Sequence, residues 1–286
     1  MLDQAQRLRQ LAVEQDATTI TKANIITVTS GKGGVGKSNF VVNLSIELCR
    51  LGKKVLIFDA DIGMANDDVL MGFLPKFNIN DVIFKNKTME EVMVTGPYGV
   101  KLIAGGSGLA KIEELTENQR ENFLKKLALL QNFDYIIMDT GAGINRSVLG
   151  FIASCDDLII ITTPEPTSLT DSYSLLKAVN HFKIKNSARV VINRTLEPKE
   201  GIATFNKFNN AVSNFLKMEI NYLGNISEDK KVVQAVREQK PFTMSYPNCD
   251  ATSDISKIAK KLVGEGFSVN TTDVQGLFKK LFSIFS

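Results

Sequence analysis

From residue 24 onwards, short and almost continuously apolar segments alternate with longer segments in which apolar positions recur every three or four residues. A strand that is apolar on both faces is typical of a parallel sheet with helices packed on each side. The pattern therefore predicts an α/β fold with a doubly wound, mainly parallel sheet of about six or seven strands. The predicted strands lie in NIITVTS, KKVLIFDAD, GVKLIAGGSG, FDYIIMDTGAG, DDLIIITTPE and ARVVINR.

The two ends of the chain depart from this alternation. Residues 1–23 predict a short polar amphipathic helix followed by a threonine-rich connection, which together form an extension. Residues 24–265 form the predicted domain, and residues 266–286 a thin linker and a separate amphipathic helix. Three late helices are predicted to complete the domain, at 204–217, 229–239 and 251–264.

Composition excludes several classes of protein. The 286 residues are 44% hydrophobic, which is ample for a core, and their net charge of +3 lacks the dense basic stripe of a dedicated nucleic-acid binder. The three cysteines, Cys49, Cys155 and Cys249, show no C-x-x-C spacing, which argues against a structural zinc site, an iron–sulfur cluster or a disulfide framework. Neither a long apolar run nor a secretory signal is present, so we expect a cytoplasmic protein.

A glycine-rich loop carries the strongest chemical signal. The segment GKGGVGKS, residues 31–38, satisfies G-x-x-x-x-G-K-[ST] between a predicted strand and the amphipathic helix SNFVVNLSIELCR. Its glycines let backbone N–H groups approach phosphates, while Lys37 reaches the β and γ oxygens and the Ser38 hydroxyl binds Mg²⁺. The predicted nucleotide contacts are Gly31, Gly33, Gly34, Val35, Gly36, Lys37, Ser38 and Asn39.

A second lysine, Lys32, stands at the other end of this loop. Its side chain would have difficulty reaching phosphates that Lys37 already serves. A cation directed out of the site can complete the phosphate cage of a facing subunit, as arginine fingers do in other NTPases. A solvated loop lysine is the alternative.

The segment KGGVGKS resembles the deviant phosphate loop of the MinD/ParA family of dimerising P-loop ATPases. The resemblance implies that the ligand is ATP or ADP with Mg²⁺, and that hydrolysis is slow and activated by dimerisation. It also implies that Lys32 contacts the partner's nucleotide in an ATP-bound homodimer. Lys32, Lys37 and Asp61 are then the predicted catalytic residues.

Three strand ends agree with this resemblance. VLIFDADIGMANDD resembles the family's second acidic motif and first switch, which implies that Asp61 orients the attacking water and that Asp59 lies near the magnesium ion. YIIMDTGAGI supplies Asp139, which would hold Mg²⁺ through water, and VVINR places Asn193 where the family reads adenine. Carboxylates or an amide that merely cap turns are the alternatives at these positions.

The resemblance also has departures. Many family members have D-x-P-A-G where this chain has Asp139 followed by Thr-Gly-Ala-Gly, and the missing proline predicts a looser switch. Ser227 replaces the proline of the family's usual I-P-x-D segment beside the adenine. TTPEPTSLTDSY resembles a stretch near the dimer interface, although helix capping by Ser168 or Thr170 explains it almost as well. The lone histidine, His181, is expected on a helix surface.

The C-terminal segment reads as an amphipathic helix. Its apolar residues recur at helical spacing, with Lys279 and Lys280 on the other side, so the helix is suited to lie reversibly on anionic lipids of the inner membrane face. The alternative is that it folds back onto the domain, or does both in turn. The predicted membrane residues are Leu277, Phe278, Lys279, Lys280, Leu281, Phe282 and Phe285.

The N-terminal DQAQRLR resembles the opening of the FlhG family of MinD-like ATPases, which control flagellar number and placement. That resemblance implies stimulation of the SRP-type GTPase FlhF, in which the Gln4 amide would position a water or bond a phosphate oxygen, and contact with flagellar C-ring switch proteins. A septum-placing MinD, a DNA-partitioning ParA, and an iron–sulfur reductase or carrier ATPase are the alternatives. The predicted partner-binding residues are Asp3, Gln4, Ala5, Leu8 and Arg9.

Overall fold

The computed structural model describes residues 23–61, 67–105, 115–127, 130, 132–265 and 274–285. Within these ranges the chain forms one eight-stranded sheet in the order β3-β4-β2-β5-β1-β6-β7-β8, in which only the β3–β4 pair is antiparallel. The predicted doubly wound, mainly parallel α/β fold is confirmed. The strands are β1 (Asn24–Ser30), β2 (Val55–Ala60), β3 (Met93–Thr95), β4 (Lys101–Ile103), β5 (Tyr135–Ala142), β6 (Asp157–Thr162), β7 (Ser187–Thr195) and β8 (Glu219–Ser227).

Helices cover both faces of the sheet, as the apolar strands require. One face packs mainly against the helix after β1 and the last helix of the domain, and the other against the helices after β5, β6 and β7. The helices are α1 (Lys37–Arg50), α2 (Asp67–Leu70), α3 (Ile79–Phe84), α4 (Met89–Val92), α5 (Glu117–Leu127), α6 (Arg146–Ser154), α7 (Pro166–His181), α8 (Pro198–Leu216), α9 (Lys230–Arg237), α10 (Phe242–Ser245), α11 (Asp250–Glu265) and α12 (Val274–Phe285).

Two strands escaped the sequence analysis, and both lie at edges of the sheet. β3 has only three residues, and β8 alternates between buried and partly exposed positions. Neither therefore shows the continuous apolar run by which the central strands were recognised.

The central strands place the glycine-rich loop. β1 lies between β5 and β6, with Ile26 beside Ile137 on one side and Val28 beside Ile159 on the other. The carboxyl ends of β1, β2 and β5 therefore meet at one edge of the sheet, where ligands of doubly wound folds bind.

The C-terminal helix α12 packs onto the domain. Its apolar side is buried against α5 and α6, and the Phe278 ring lies 5.6 Å from that of Phe58 and 5.1 Å from that of Phe123. Burying each such side chain contributes about 1.5–3 kcal/mol. Thus the fold-back alternative describes this structure, in which the buried residues of the helix are Val274, Leu277, Phe278, Leu281 and Phe282. Across the described ranges, no helix has the length and apolarity needed to cross a bilayer.

Candidate nucleotide-binding site

The loop between β1 and α1 is shaped by its glycines. Gly36 has φ +95°, and a Cβ there would collide with the side-chain amide of Asn193. A Cβ on Gly31 would run into the backbone of Asp171 on α7, so the start of the loop lies directly against that helix. Only glycine fits these two positions, which leaves the loop backbone free to surround a ligand.

The N-terminus of α1 faces the same space. Its N-cap residue, Gly36, offers no side-chain cap, so the N–H groups of the first turn can bind an anion. Ser38, the expected magnesium ligand, is the second residue of the helix and is half-buried. Asn39 follows it and lines the adjoining cavity.

Lys37 and Asp139 form a buried ion pair beneath the loop. The Lys37 Nζ lies 2.8 Å from Asp139 Oδ1, with the two side chains 9% and 2% exposed. Burial lowers the pKa of Lys37, but the surrounding carboxylates, led by Asp139, outweigh burial and raise it above the usual value. The loop therefore holds a permanent positive charge beside the predicted magnesium-holding carboxylate.

The end of β2 adds the two expected acids to this pair. Asp59 is buried, and one of its carboxylate oxygens accepts the Asp61 N–H at 3.1 Å. Burial, together with the charge of Asp139, raises the pKa of Asp59 to about 7. Asp61 is half-buried, and a Cβ on Gly141 would lie 3.5 Å from its Oδ1. The structure thus brings Asp59, Asp61 and Asp139 together around Lys37.

A fourth acid, Asp67, completes the cluster and was not singled out by the sequence analysis. It begins α2 and is completely buried. Burial and the charges of Asp139 and Asp59 raise the pKa of Asp67 well above its usual range. The only sequence signal was its place six residues after Asp61, in a segment already recognised as a switch.

The turn after β5 is held to the loop by hydrogen bonds. The Gly143 N–H donates to the Ser30 carbonyl at 2.8 Å, and the Thr29 hydroxyl donates to the Gly141 carbonyl at 3.3 Å. The turn from Gly141 to Gly143, in which glycine stands at the position of the family's proline, is therefore bonded to β1 at two points.

Lys32 is separated from this cluster. Its Nζ lies 3.2 Å from Oε2 of Glu165, the residue before α7, and 3.1 Å from the hydroxyl of Thr167 in the first turn of that helix. Ser168 lies inside α7, and its hydroxyl accepts the N–H of Thr163, which precedes the helix, at 3.1 Å. The N-cap residue of α7 is Glu165, which makes no side-chain cap, so the suggested capping by Ser168 is wrong. The loop thus presents its two lysines to different places, Lys37 inward and Lys32 towards solvent at 40% exposure.

A cavity of about 510 Å³ adjoins the loop at the ends of β7 and β8. Asn193 lies in its wall, but its Nδ2 donates to the Val35 carbonyl at 2.7 Å and its Oδ1 accepts the Arg194 N–H at 2.9 Å. The Arg194 guanidinium bonds the Gly34 carbonyl at 2.9 Å, a contact the sequence analysis missed. Apolar side chains on the far side can stack against a base, among them Phe40, Val232, Val233 and Val236.

Residues 21–263 match the family described as "ParA: NUBPL iron-transfer P-loop NTPase". The chain belongs to this ParA family of P-loop NTPases. Among curated relatives of this family member, the antiactivator FleN of Pseudomonas aeruginosa is 35% identical over 83% of this chain and 85% of its own length. The flagellum site-determining protein YlxH of Helicobacter pylori is 35% identical over 90% of this chain and 88% of its own length.

The fold comparison agrees. The MinC:MinD cell division protein complex of Aquifex aeolicus contains a chain that matches with a TM-score of 0.67 and 26% identity, over 87% of this chain and 99% of that one. Thus the family is the one that the phosphate loop resembled, and the resemblance to FlhG-type proteins, which include FleN and YlxH, is confirmed.

Metal ligands are not preassembled. Among the described residues, no group of three or more His, Cys, Asp and Glu side chains is placed to hold a metal ion. Mg²⁺ in P-loop sites takes one or two protein ligands, with water and phosphate oxygens supplying the others, so a ready-made cage is not required. The predicted partner-binding residues Asp3 to Arg9 lie outside the described residues, as does the side chain of Phe285.

Proposed function

We propose that this protein is a Mg²⁺-dependent ATPase that controls the number or placement of flagella by cycling between a monomer and an ATP-bound homodimer. The buried Lys37–Asp139 pair at the uncapped start of α1 is the observation that carries the ATPase part. The flagellar part is supported by the relatives FleN and YlxH, which are 35% identical over most of the chain.

In the proposed reaction the loop residues bind the phosphates of ATP. Lys37 exchanges its bond to Asp139 for the β and γ oxygens, and the backbone N–H groups of Gly33 to Lys37 surround them. Asp61, at the end of β2, orients the water that attacks the γ-phosphorus. Burial of this cluster makes its charges more effective than they would be in bulk water.

Magnesium fits the acids that surround Lys37. Four carboxyl groups surround the single ammonium group of Lys37, so a further cation bound there would be attracted by the remaining acidic groups. Ser38, Asp59 and Asp139 are the residues proposed to hold it, directly or through water. When bound, the ion neutralises charge that develops on the phosphate oxygens.

Dimerisation is assigned to Lys32. Its ammonium group is partly exposed and lies on the loop surface, away from Lys37, where a facing subunit can bring its own nucleotide. The pair with Glu165 is also exposed, and such pairs contribute no more than about 1 kcal/mol, so Lys32 can leave it readily.

Membrane attachment is assigned to α12, with release from the domain as its first step. The apolar side that would enter the bilayer is buried against α5 and α6 in this structure, whereas Lys279 and Lys280 are exposed. We propose that the helix is docked in the monomer and released in the ATP-bound dimer, where two copies bind anionic lipids together.

The N-terminal segment provides the decisive experiment. Full-length protein, its Gln4→Ala variant and a matched Gln6→Ala control would be added with ATP to GTP-loaded FlhF from the same organism, and GTP hydrolysis followed. We expect stimulation by the wild type and by Gln6→Ala, and its loss in Gln4→Ala. ATP hydrolysis without any stimulation of FlhF would leave the ATPase standing and remove the flagellar assignment.

A further inference from the structure

Asp67 occupies an unusual position for an acid. It lies at the start of α2, which packs against α1, and its side chain is completely buried. Its own carbonyl accepts the Met71 N–H at 3.2 Å, so the backbone of the residue already has a role. If this position served only to pack the start of the helix, a hydrophobic side chain would fill it as well as an acid.

No hydrogen-bond donor within the described ranges reaches either carboxylate oxygen of Asp67. The nearest cation, the ammonium group of Lys37, is bonded to Asp139 instead. The hydrogen bond that Asp67 can still form is one to Asp139, and this bond requires that one of the two carboxyl groups carries a proton. A buried carboxylate without a donor is strongly unfavourable, and such groups concentrate at functional sites.

We propose that Asp67 is an additional carboxylate that holds the Mg²⁺ of the nucleotide site through water, beside Asp59 and Asp139. A hard divalent cation prefers oxygen ligands and would supply the positive charge that Asp67 lacks. The proposal deepens the Mg²⁺-dependent ATPase function above and rests on it. It assigns a binding role to a residue outside the phosphate loop and outside the strand ends.

The test measures how much Mg²⁺ strengthens ADP binding. ADP would be titrated by calorimetry into wild-type protein and into Asp67→Asn, with excess Mg²⁺ and with EDTA. Without metal, the substitution should leave ADP affinity unchanged, because Asn differs from Asp67 only in the carboxyl group proposed to hold the cation. With Mg²⁺ the variant should bind more weakly, so the ratio of the two affinities should fall about tenfold.

Asp68→Asn is the matched control. Asp68 is the next residue and half-buried, and its Oδ1 accepts the Val69 N–H at 2.7 Å. In Asp68→Asn, Mg²⁺ should strengthen ADP binding by the same factor as in the wild type. A second readout, the affinity of Mn²⁺ for the protein–ADP complex by electron paramagnetic resonance, should fall in Asp67→Asn alone.

The outcomes separate the two proposals. Equal Mg²⁺ enhancement in wild type and Asp67→Asn would overturn the role of Asp67 and leave the proposed ATPase intact. Failure of the wild type to bind ADP with either treatment would overturn both. Should Asp67→Asn not fold, Asp67→Leu offers the same comparison with an apolar side chain of similar length.

Discussion

The Lys32 Nζ lies 3.2 Å from Glu165 Oε2, although 133 residues separate the two along the chain. This exposed pair joins the start of the phosphate loop to the segment that leads into α7. Lys32 is thereby held outward, at the surface where a second copy of the chain is proposed to bind. In the monomer the Lys32 ammonium group is therefore accessible to a second subunit.

Replacing Lys32 by alanine should abolish ATP-dependent dimerisation while monomeric ADP binding through Lys37 persists. The reason is that Lys32 is the cation proposed to reach the partner's phosphates, and it takes no part in the buried pair. Light scattering with ATP, beside calorimetry with ADP, checks both halves. Glu165→Gln is the control, because losing the exposed Lys32–Glu165 ion pair should change dimer affinity by no more than about fivefold. A normal ATP dimer of Lys32→Ala would reject the trans role.

Asp61→Ala should hydrolyse ATP at least about a hundredfold more slowly than wild type and accumulate as an ATP-loaded dimer. A water-orienting group contributes on the order of 10²–10⁴-fold, whereas nucleotide binding depends on the loop. Phosphate release and light scattering would follow the two quantities, with Asp68→Asn as a neighbouring control. Rapid turnover by Asp61→Ala would transfer the role to another residue.

The sequence allowed the centre of the molecule to be predicted better than its edges. β1, β5 and β6 are buried on both faces and so carry continuous apolar runs, and the phosphate loop is a contiguous motif. β8 is half-exposed, and its alternating pattern gives a weaker signal. Contacts that join distant segments have no local signal at all.

The candidate site shows the same division. The residues of the loop and strand ends were identified, but the pairing of Lys32 with Glu165 and the burial of Asp67 depend on how the sheet brings remote segments together. Similarly, amphipathicity predicted the helix α12, but a helix with an apolar side can bind either a membrane or its own domain. Only the packing partner, in this case Phe123 and its neighbours, distinguishes the two.

Asn193→Ala should weaken binding of ATP and GTP by a similar factor, about fivefold. In this structure the Asn193 amide supports the phosphate loop through Val35, and losing one such hydrogen bond costs about 1 kcal/mol. Calorimetry with both nucleotides would measure it. A selective loss of ATP affinity would instead show that the amide turns to read adenine, as the family resemblance implies.

Two of the three cysteine thiols, those of Cys49 and Cys155, should be poor ligands for iron. Burial raises the pKa of Cys49 to about 11 and also raises that of Cys155, so thiolate forms rarely near neutral pH. At pH 8 we expect native Cys49 to react with iodoacetamide at least about tenfold more slowly than in the denatured chain, as measured by mass spectrometry. Purified protein treated with iron and sulfide should retain no cluster. Stoichiometric bound iron would revive the carrier ATPase alternative.

Docking and membrane binding of α12 should respond to different residues. Phe278→Ala removes a completely buried ring that touches Phe58 and Phe123, so it should lower the free energy of unfolding by about 3–5 kcal/mol. Lys279→Gln with Lys280→Gln changes two exposed side chains and should lower the free energy of unfolding by no more than about 1 kcal/mol, but should weaken binding to anionic vesicles by about 1 kcal/mol per lysine. Chemical denaturation and vesicle co-sedimentation with ATP measure the two effects. Undiminished vesicle binding by the double variant, or by a chain lacking residues 276–286, would place the membrane contact elsewhere, since α12 is the one element to which the proposal assigns it.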